Sequence, residues 1–408
     1  MRVLYIHQHF STPEGTTGVR SYKMSRKLLE RGHSVTMVCG SYDRSVTGLS
    51  GPFVRGKRKG RVNGIDIIEL DLAYSNNQGF LTRSAVFLRF ATLASSVALT
   101  EEYDVIVATS TPLTVGIPAI LGRILRRKAL VFEVRDLWPE LPRAMGVITN
   151  PVILLLLRVL EWLVYRASHR LIGLSRGMVS GIVSRGADAA RVKLIPNGCD
   201  LDLFDDEANR PLRPEMLRDD DFVAIYAGSH GIANGLQVLV EAAKELEARG
   251  DDRVRVLLVG DGSEKTSLKQ AVEAHGLRNR VIFLDPVGKR ELASLLKGAD
   301  LGIQCLKNVE AFYDGTSPNK FFDYIASGLP VLVNYPGWIA ELVEANNCGW
   351  AVAPDEPARM ADALQEAASS PAIAAERGKA ALELGRREFD REMLSEEFTQ
   401  WVTDCESG

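Results

Sequence analysis

Short apolar runs that alternate with glycine-bearing loops and helical segments constrain this chain more than any other feature. Residues 2–6 and 33–39 have the pattern of buried strands in the first half, and residues 222–226 and 254–259 have it in the second. A polar loop and a helical pattern follow each run, as in the β–loop–α units of parallel sheets. Because 408 residues exceed what one core usually holds, the sequence predicts two doubly wound α/β domains.

The two halves of the sequence also differ in charge. Residues 1–199 contain 27 basic and 14 acidic side chains, whereas residues 200–408 contain 22 and 38. Such an asymmetry supports two domains, and a basic half often meets anionic surfaces. We expect a first domain over residues 1–200, a second over 201–385, and a C-terminal helix within 386–408 that returns to the first domain.

Composition narrows the class of protein. Apolar residues make up 46% and charged residues 25% of the chain, as in globular proteins that are neither disordered nor fibrous. The five cysteines lack metal-like spacing, which favours a reducing compartment without structural zinc. No signal-peptide core is evident, and the most apolar stretch, residues 152–165, contains Arg158 and Glu161. We expect no nucleic-acid partner and a location in the cytoplasm, either free or peripheral at the inner face of the cell membrane.

A polar loop, a short helix and a buried strand are predicted over residues 314–334. Either Ser317 or Asn319 is expected to cap the helix. Lys320 and Asp323 are three residues apart and therefore share one face of its first turn. A cation and a carboxylate beside a helix N-terminus suit a phosphate and ribose hydroxyls, although an ordinary surface ion pair has the same spacing.

Polar loops also follow strands in the first half. The loop at residues 7–18 carries glycines and leads into a helix, so its backbone N–H groups are suited to an anion. A tight βα turn explains it equally well, because the G-x-G-x-x-G pattern is absent. The strand at residues 129–134 delivers Arg135 and Asp136 to the sheet edge where doubly wound folds bind ligands. Asp136 is a candidate base, or it pairs with Arg135 or caps a helix.

Several motifs occur in a fixed order along nearly the whole chain. They are the glycine-bearing first loop with Arg20, Leu29-Glu-Arg-Gly-His-Ser-Val-Thr-Met-Val, Ile195-Pro-Asn-Gly-Cys-Asp with Phe204, Tyr226-Ala-Gly, Leu258-Val-Gly-Asp-Gly and Asp323-Tyr-Ile-Ala-Ser-Gly-Leu-Pro-Val. In this order the set resembles the retaining glycosyltransferases of family 4, which have the GT-B architecture of two Rossmann-like domains facing across a cleft. Arg135-Asp-Leu-Trp-Pro-Glu and Ser317-Pro-Asn-Lys320 are similar to the bacterial fucosamine transferases of surface-polysaccharide assembly.

The resemblance implies a reaction and a set of site residues. The reaction is transfer of a sugar, an N-acetylated hexosamine or deoxyhexosamine, from a UDP-sugar to a hydroxyl with retention of configuration and without a metal. The expected catalytic residues are Lys320, Asp136 and Arg135. The expected donor-binding residues are Gly15, Gly18, Arg20, Gly228, Ser229, Gly260, Gly262, Val287, Ser317, Asn319, Lys320 and Asp323.

The chain departs from the family pattern at the donor site. Gly315 stands where the family usually has the first of two glutamates, and Asp323 matches the second. The family's arginine and lysine on the first loop of the second domain fall near Ser229 and Asn234, which leaves Lys320 as the nearest cation. These losses keep two rival functions open, a UDP-sugar 2-epimerase of the same architecture and a catalytically inactive nucleotide-binding protein.

The acceptor is inferred from charge and apolar helices. The basic first half and the helices predicted at residues 81–99 and 152–165 suit a glycan or polyprenyl-diphosphate-linked acceptor at an anionic membrane. A basic loop predicted at residues 55–61 is suited to phospholipid headgroups. The alternatives are that the helices belong to the core and that the loop is merely solvated.

Overall fold

The computed structural model describes residues 1–15, 18–43, 45–75, 78–206 and 209–406. Thr16 and Thr17 of the glycine-bearing first loop lie outside the described residues. The chain divides into two compact units: unit 1 comprises Met1–Pro196, Gly315–Ser317 and Glu392–Gly408, and unit 2 comprises Asn197–Asp314 and Pro318–Arg391.

Strands and helices alternate through unit 1. In chain order they are β1 (Arg2–Ile6), α1 (Arg20–Glu30), β2 (Ser34–Tyr42), β3 (Lys57–Val62), β4 (Ile65–Tyr74), α2 (Phe80–Thr100), β5 (Val105–Thr109), α3 (Gly116–Leu125), β6 (Ala129–Val134), α4 (Glu140–Ala144), α5 (Pro151–Ala167), β7 (Arg170–Gly173), α6 (Arg176–Ser184) and β8 (Val192–Leu194).

These strands form one sheet in the order β3-β4-β2-β1-β5-β6-β7-β8, and every pair except β3–β4 is parallel. The strand order reverses between β1 and β5, so the loops that leave these two strands diverge and open a crevice at the carboxyl edge. The residues after β1, β5 and β6 therefore meet at this edge.

Unit 2 repeats the alternation, and the chain then ends in a helix. The elements are α7 (Leu201–Asp205), β9 (Phe222–Ala227), α8 (Gln237–Ala248), β10 (Val254–Val259), α9 (Lys265–Ala274), β11 (Val281–Leu284), α10 (Lys289–Lys297), β12 (Leu301–Gln304), α11 (Glu310–Tyr313), α12 (Asn319–Ala326), β13 (Val331–Val333), α13 (Trp338–Ala345), β14 (Gly349–Ala351), α14 (Pro357–Ser369), α15 (Pro371–Glu388) and α16 (Arg391–Thr403).

The second sheet is parallel throughout, with the order β11-β10-β9-β12-β13-β14. Its strand order reverses between β9 and β12, so its crevice lies beside the loop after β9. The predicted fold class, two Rossmann-like α/β domains, is confirmed. The central strands of both sheets, among them β1, β5, β6, β9 and β10, are buried on both faces, which explains why they are continuous apolar runs rather than alternating ones.

Residues 57–61 of the basic stretch lie in strand β3 rather than in the predicted loop, and residues 55 and 56 form the turn before it. β3 pairs antiparallel with β4, and its exposed and half-buried residues alternate. Arg58 donates to Glu69 at 2.8 Å, and Arg61 donates to Asp66 at 2.7 Å. Carboxylates of the neighbouring strand therefore neutralise Arg58 and Arg61, which are two of the five cations in this stretch.

The last helix packs into unit 1. Leu394, Phe398 and Val402 recur every four residues on α16 and are buried in the core cluster of that unit. The ring of Phe398 stacks on Tyr5 of β1, with centroids 6.0 Å apart. The spacing of these three apolar residues gives α16 a single buried face. This face packs in the same core cluster as strand β1.

Two long helices lie where the sequence predicts them. α2 covers the predicted segment 81–99, and α5 covers the predicted segment 152–165. Among the residues that the structure describes, no helix combines the length and the apolarity needed to cross a membrane.

Arg20 lies in the core of unit 1. Its side chain is fully buried, its Nε donates to Glu133 of β6 at 2.9 Å, and its other nitrogens donate to the carbonyls of Ile195 and Pro196. The sequence suggests Arg20 as a donor-phosphate ligand, but these bonds direct the guanidinium into the sheet. Arg20 instead ties the start of α1 to two strand ends, because a buried charge requires a paired and hydrogen-bonded environment.

Replacing Arg20 by alanine should lower the free energy of unfolding by about 3–5 kcal/mol, because the change leaves a buried carboxylate unpaired. Arg31→Ala is the matched control: Arg31 pairs with Glu396 near the surface, and its loss should cost less than about 1 kcal/mol. Urea denaturation followed by circular dichroism measures both. Equal losses in the two variants would contradict the assigned role of Arg20.

Candidate functional site

Two glycine loops meet at the carboxyl edge of the second sheet. Gly228 follows β9, and Gly260 follows β10. A Cβ atom built on Gly260 would lie 1.9 Å from the carbonyl oxygen of Gly228, and one built on Gly262 would lie 2.5 Å from the backbone of His230. Only glycine permits this contact between backbones. The structure thus brings together three of the predicted donor-binding residues.

Lys320 lies against this pair of loops. Its Nζ is 4.6 Å from the ring centroid of Tyr226 and donates to Oδ1 of Asn234 at 3.2 Å. A Cβ atom on Gly228 would lie 2.9 Å from Lys320 Cε, so the lysine stem packs on that glycine. Desolvation by burial lowers the pKa of Lys320 to about 8, which still leaves the ammonium mostly protonated at neutral pH. A half-buried cation at the edge of a parallel sheet is suited to binding an anion.

Helix α12 is fixed beside the end of β9. The hydroxyl of Tyr324 accepts a hydrogen bond from the backbone nitrogen of Ala227 at 2.9 Å. Pro318 occupies the N-cap position and supplies no side-chain hydrogen bond, so the prediction that Ser317 or Asn319 caps the helix is wrong. Asn319 is instead the first helical residue. The N–H of Phe321 donates to the carbonyl of Pro318 at 3.1 Å within this first turn.

Asp323 has a cation partner that the sequence does not reveal. Lys289 Nζ contacts the two carboxylate oxygens at 2.7 and 2.8 Å, and both side chains are largely buried. The predicted neighbours Lys320 and Asp323 therefore have different partners and do not form an ion pair. Lys289 begins α10 directly after the loop that contains Val287. In the sequence, Lys289 is a lysine at the start of a helix that follows a strand of the sheet. That pattern could have identified Lys289 as a residue of the site.

Ser229 lies in the loop after β9. Its carbonyl oxygen accepts hydrogen bonds from the hydroxyl of Tyr226 at 2.8 Å and from Nδ2 of Asn234 at 2.9 Å, and its side chain is exposed. Asn234, at the position where the family usually has a cation, thus fixes the loop with its amide nitrogen and contacts Lys320 with its amide oxygen. Hydrogen bonds from Tyr226 and Asn234 thus fix the backbone of the loop, and the side chain of Ser229 is exposed to solvent.

His230 is a site residue that the sequence does not single out. Its side chain is fully buried, and neither ring nitrogen has a hydrogen-bond partner among the described residues. Burial, assisted by nearby lysines, lowers its pKa to about 4, so the imidazole is neutral at pH 7. Its ring centroid lies 6.0 Å from Tyr226 and 6.2 Å from Phe283, which makes it part of the packed support beneath the glycine loops.

A second polar cluster lies at the carboxyl edge of the first sheet. Nη1 of Arg135 is 3.3 Å from Nε2 of His7, and Nδ1 of His7 is 2.7 Å from the hydroxyl of Ser21. Thr111 donates to Asp136 at 2.6 Å. Burial raises the pKa of Asp136, while this hydrogen bond partly opposes the shift. Within the described ranges, the Asp136 carboxylate has no helix-capping hydrogen bond and no ion pair with Arg135.

The two remaining predicted residues of unit 1 belong to the first loop. Gly15 is buried, and its N–H donates to the carbonyl of Thr12 at 3.1 Å, as in a turn. Gly18 is half-buried and lies two residues before the start of α1. The structure therefore places both glycines in the connection between β1 and α1.

Gly315 stands at the position that corresponds to the family's first glutamate, and it has no side chain. The preceding residue, Asp314, is acidic, but its Oδ1 accepts from the backbone nitrogen of Trp338 at 2.9 Å and so caps α13. Position 314 thus has a structural contact of its own.

Two family models match successive parts of the chain. Residues 15–198 match the glycosyl transferase 4-like domain, and residues 210–383 match glycosyl transferases group 1. The chain belongs to the glycosyltransferases. Its solved structural neighbours have the GT-B fold, which the two sheets of this glycosyltransferase also show.

Individual relatives are distant. The chain is 28% identical over 190 residues to D-inositol 3-phosphate glycosyltransferase of Paenarthrobacter aurescens. The alignment covers 44% of each chain. It is 25% identical over 170 residues to alpha-D-kanosaminyltransferase of Streptomyces kanamyceticus, over 41% of this chain and 42% of the relative. The matched part thus spans less than half the length of these curated relatives.

Solved structures match over the full length. Sucrose-phosphate synthase from Thermosynechococcus elongatus aligns with a TM-score of 0.76 and 18% identity, over 100% of this chain and 99% of that one. The Anabaena protein HepE, in complex with UDP and glucose, aligns with a TM-score of 0.71 and 18% identity, over 99% of this chain and 100% of that one. At this identity the likeness concerns the fold.

The neutral histidines of the glycosyltransferase predict how its stability depends on pH. His9 packs against the rings of Tyr42, Tyr74 and Phe87, and burial lowers its pKa to about 4. Because this folded-state pKa lies below the ordinary value near 6.5, the unfolded chain binds the proton more readily. Stability contributed by the neutral ring is therefore present above pH 6.5 and is lost as the pH falls toward 4.

His9→Phe should keep the aromatic cluster and remove this proton linkage. We expect the free energy of unfolding of the variant to fall less steeply between pH 6.5 and 4.5, by up to roughly 1.4 kcal/mol per pH unit. The exposed His275, changed to glutamine, is the control and should leave the slope of the wild type unchanged. Urea titrations at several pH values measure the slopes, and parallel curves for His9→Phe and wild type would refute the assignment.

Proposed function

We propose that this glycosyltransferase moves a sugar from a UDP-sugar to a hydroxyl with retention of configuration. The sugar in this proposal is an N-acetylated hexosamine or deoxyhexosamine, and the acceptor is a glycan or a lipid-linked glycan of cell-surface polysaccharide assembly. One observation carries the proposal: Lys320 lies on Gly228 at the carboxyl edge of the second sheet, beside the N-terminus of α12. The complex of the fold neighbour HepE with UDP and glucose supports the class of donor.

The chemistry of transfer assigns a role to each donor-side residue. Negative charge grows on the departing diphosphate, and a preorganised cation and N–H groups directed at it lower the barrier. Lys320 and the first turn of α12, with Ser317 and Asn319 at its start, are proposed to supply this stabilisation. Because Lys320 already provides a positive charge, we propose that transfer needs no metal ion, so excess EDTA should leave the rate unchanged.

Asp323 is proposed to hold the ribose hydroxyls. Each of its carboxylate oxygens accepts one hydrogen bond from Lys289. Each oxygen has two lone pairs and can therefore accept a further hydrogen bond. The lysine fixes the carboxylate in orientation. The backbone near Val287, just before Lys289, is proposed to meet the uracil, with Gly260 and Gly262 leaving room for the nucleotide.

The cluster of unit 1 is proposed to serve the acceptor side. Arg135 supplies a fixed positive charge, held next to His7 at 3.3 Å. Asp136 is the candidate base, because its raised pKa brings its proton affinity closer to that needed for accepting a hydroxyl proton. Since no nucleophile is evident on the donor side, departure assisted by the leaving phosphate is proposed rather than a covalent intermediate.

Product analysis distinguishes this proposal from its two rivals. The enzyme is incubated with radiolabelled UDP-sugars and a lipid extract, and nucleotide and glycolipid products are separated. Transfer predicts UDP and a labelled acceptor. A converted donor without acceptor would instead identify a 2-epimerase, and saturable donor binding without any turnover would identify an inactive binding protein.

Lys320→Ala should lower kcat by on the order of 10²-fold or more, because it removes one transition-state stabiliser. Lys379→Ala changes an exposed lysine on α15 and is the control with no expected effect. Initial rates over a range of donor concentrations separate kcat from KM. A raised KM with unchanged kcat would mean that Lys320 binds the donor without stabilising the transition state.

A further inference from the structure

Helix α5 of unit 1 exposes an apolar stripe. Its members recur at the helical spacing of three and four residues, and each is between 42% and 63% exposed. Isolated exposed leucines are ordinary on protein surfaces, but a contiguous row along about three helical turns marks a surface that contacts another apolar phase. We call this row the α5 stripe: Val152, Leu155, Leu156, Val159, Trp162 and Leu163.

The opposite face of α5 already meets the protein core. Val164 and Tyr165 are buried in the core cluster of unit 1, and Leu157 and Leu160 pack against it. A helix that needed only to cover this core would carry polar residues on its outer face. Core packing therefore does not account for the apolar residues of the stripe.

An arginine-lined cavity of about 460 Å³ adjoins the stripe. Trp162 belongs to both, and Arg143, Arg158 and Arg185 line the cavity with Glu140 and Glu161. Arg185 pairs with the two glutamates, at 3.0 Å to Glu161. The side chains of Arg143 and Arg158 are exposed, and neither guanidinium makes a hydrogen bond or ion pair within the described part of the chain. Two guanidinium groups thus remain available to an anionic group.

A second cavity, of about 550 Å³, lies at the C-terminal end of α5. It is lined by Arg123, Arg166, Arg170 and Arg191, and by a single carboxylate, Asp404. Together the two cavities contain seven arginines and three acidic side chains. The apolar stripe is therefore bordered by positive charge, which is the arrangement of surface helices that bind anionic bilayers.

We propose that the α5 stripe and its two arginine-lined cavities form a docking surface for the anionic phospholipid bilayer. The stripe would enter the boundary between headgroups and acyl chains, with Trp162 at the interface, where indole rings are favoured. The arginines would meet lipid phosphates, which a planar guanidinium binds well. Helix α5 lies parallel to the membrane surface in this arrangement.

The charges argue against a second copy of the chain as the occupant. A two-fold contact would place the same surface on both subunits, and the arginines beside one stripe would face those of the other. Lipid phosphates instead supply the opposite charge. The docking proposal goes beyond sugar transfer, because vesicle binding is measured without donor or acceptor. The docking proposal can therefore fail while sugar transfer holds, and sugar transfer can fail while docking holds.

Vesicle flotation tests the proposal with the full chain. The wild type should float with vesicles of phosphatidylcholine and phosphatidylglycerol, bind pure phosphatidylcholine at least tenfold more weakly, and release as salt is raised. Leu156→Glu combined with Val159→Glu should reduce binding to the mixed vesicles at least tenfold. Arg143→Glu combined with Arg158→Glu should do the same.

Matched variants in unit 2 control for the new charges. Met216→Glu changes an apolar side chain that is 63% exposed, and Arg359→Glu changes an exposed arginine. Both should bind like the wild type. Circular dichroism checks that each variant is folded. Should the stripe variant fail to fold, tryptophan fluorescence provides a second test. Bromine-labelled lipids should quench the tryptophan fluorescence of the wild type markedly more than that of Trp162→Phe.

Three results would overturn the proposal. They are equal binding to neutral and anionic vesicles, binding by the folded stripe variant at the level of the wild type, and a dimer in solution without lipid that the stripe variant dissociates. The third result would identify a second copy of the chain as the occupant.

Discussion

The contact between the backbones of Gly228 and Gly260 is the constraint on which the second unit depends. Parallel strands place all their carboxyl ends at one edge, and the reversal of strand order separates the loops after β9 and β12. Glycine lets the loops after β9 and β10 touch without side chains between them. The space so left beside Gly228 is taken by the stem of Lys320, so its ammonium lies at the sheet edge.

Buried charges divide into those that hold the fold and those available for chemistry. Arg20 and Glu133 satisfy each other in the core of unit 1, whereas Lys289 fixes the orientation of Asp323 in unit 2. Lys320 contacts a neutral amide and an aromatic face instead, and burial lowers its pKa. A cation without a carboxylate partner is costly to bury, which is why such groups concentrate at functional sites.

Much of the fold and part of the site follow from the sequence. Strand runs and glycine loops predict both sheets, and the short helix at Lys320 forms where the pattern places it, as α12. The position of Arg20 does not follow, because an arginine after a glycine loop has the same local pattern whether it faces a ligand or the core. The Lys289 contact with Asp323 spans 34 residues and depends on how α10 and α12 pack.

The sequence by itself determined the order of most elements, the apolar faces and the glycine positions, because these depend on local periodicity and backbone freedom. Only the tertiary structure decided which partner each charge has and what covers each apolar face. Helix α5 shows the difference: its residues are apolar on nearly every side, and the same pattern suits a core helix or an exposed one. Only one side of α5 packs against the core, so the α5 stripe is exposed. Periodicity indicates which side chains are apolar, but it does not indicate whether the protein core or another surface covers them.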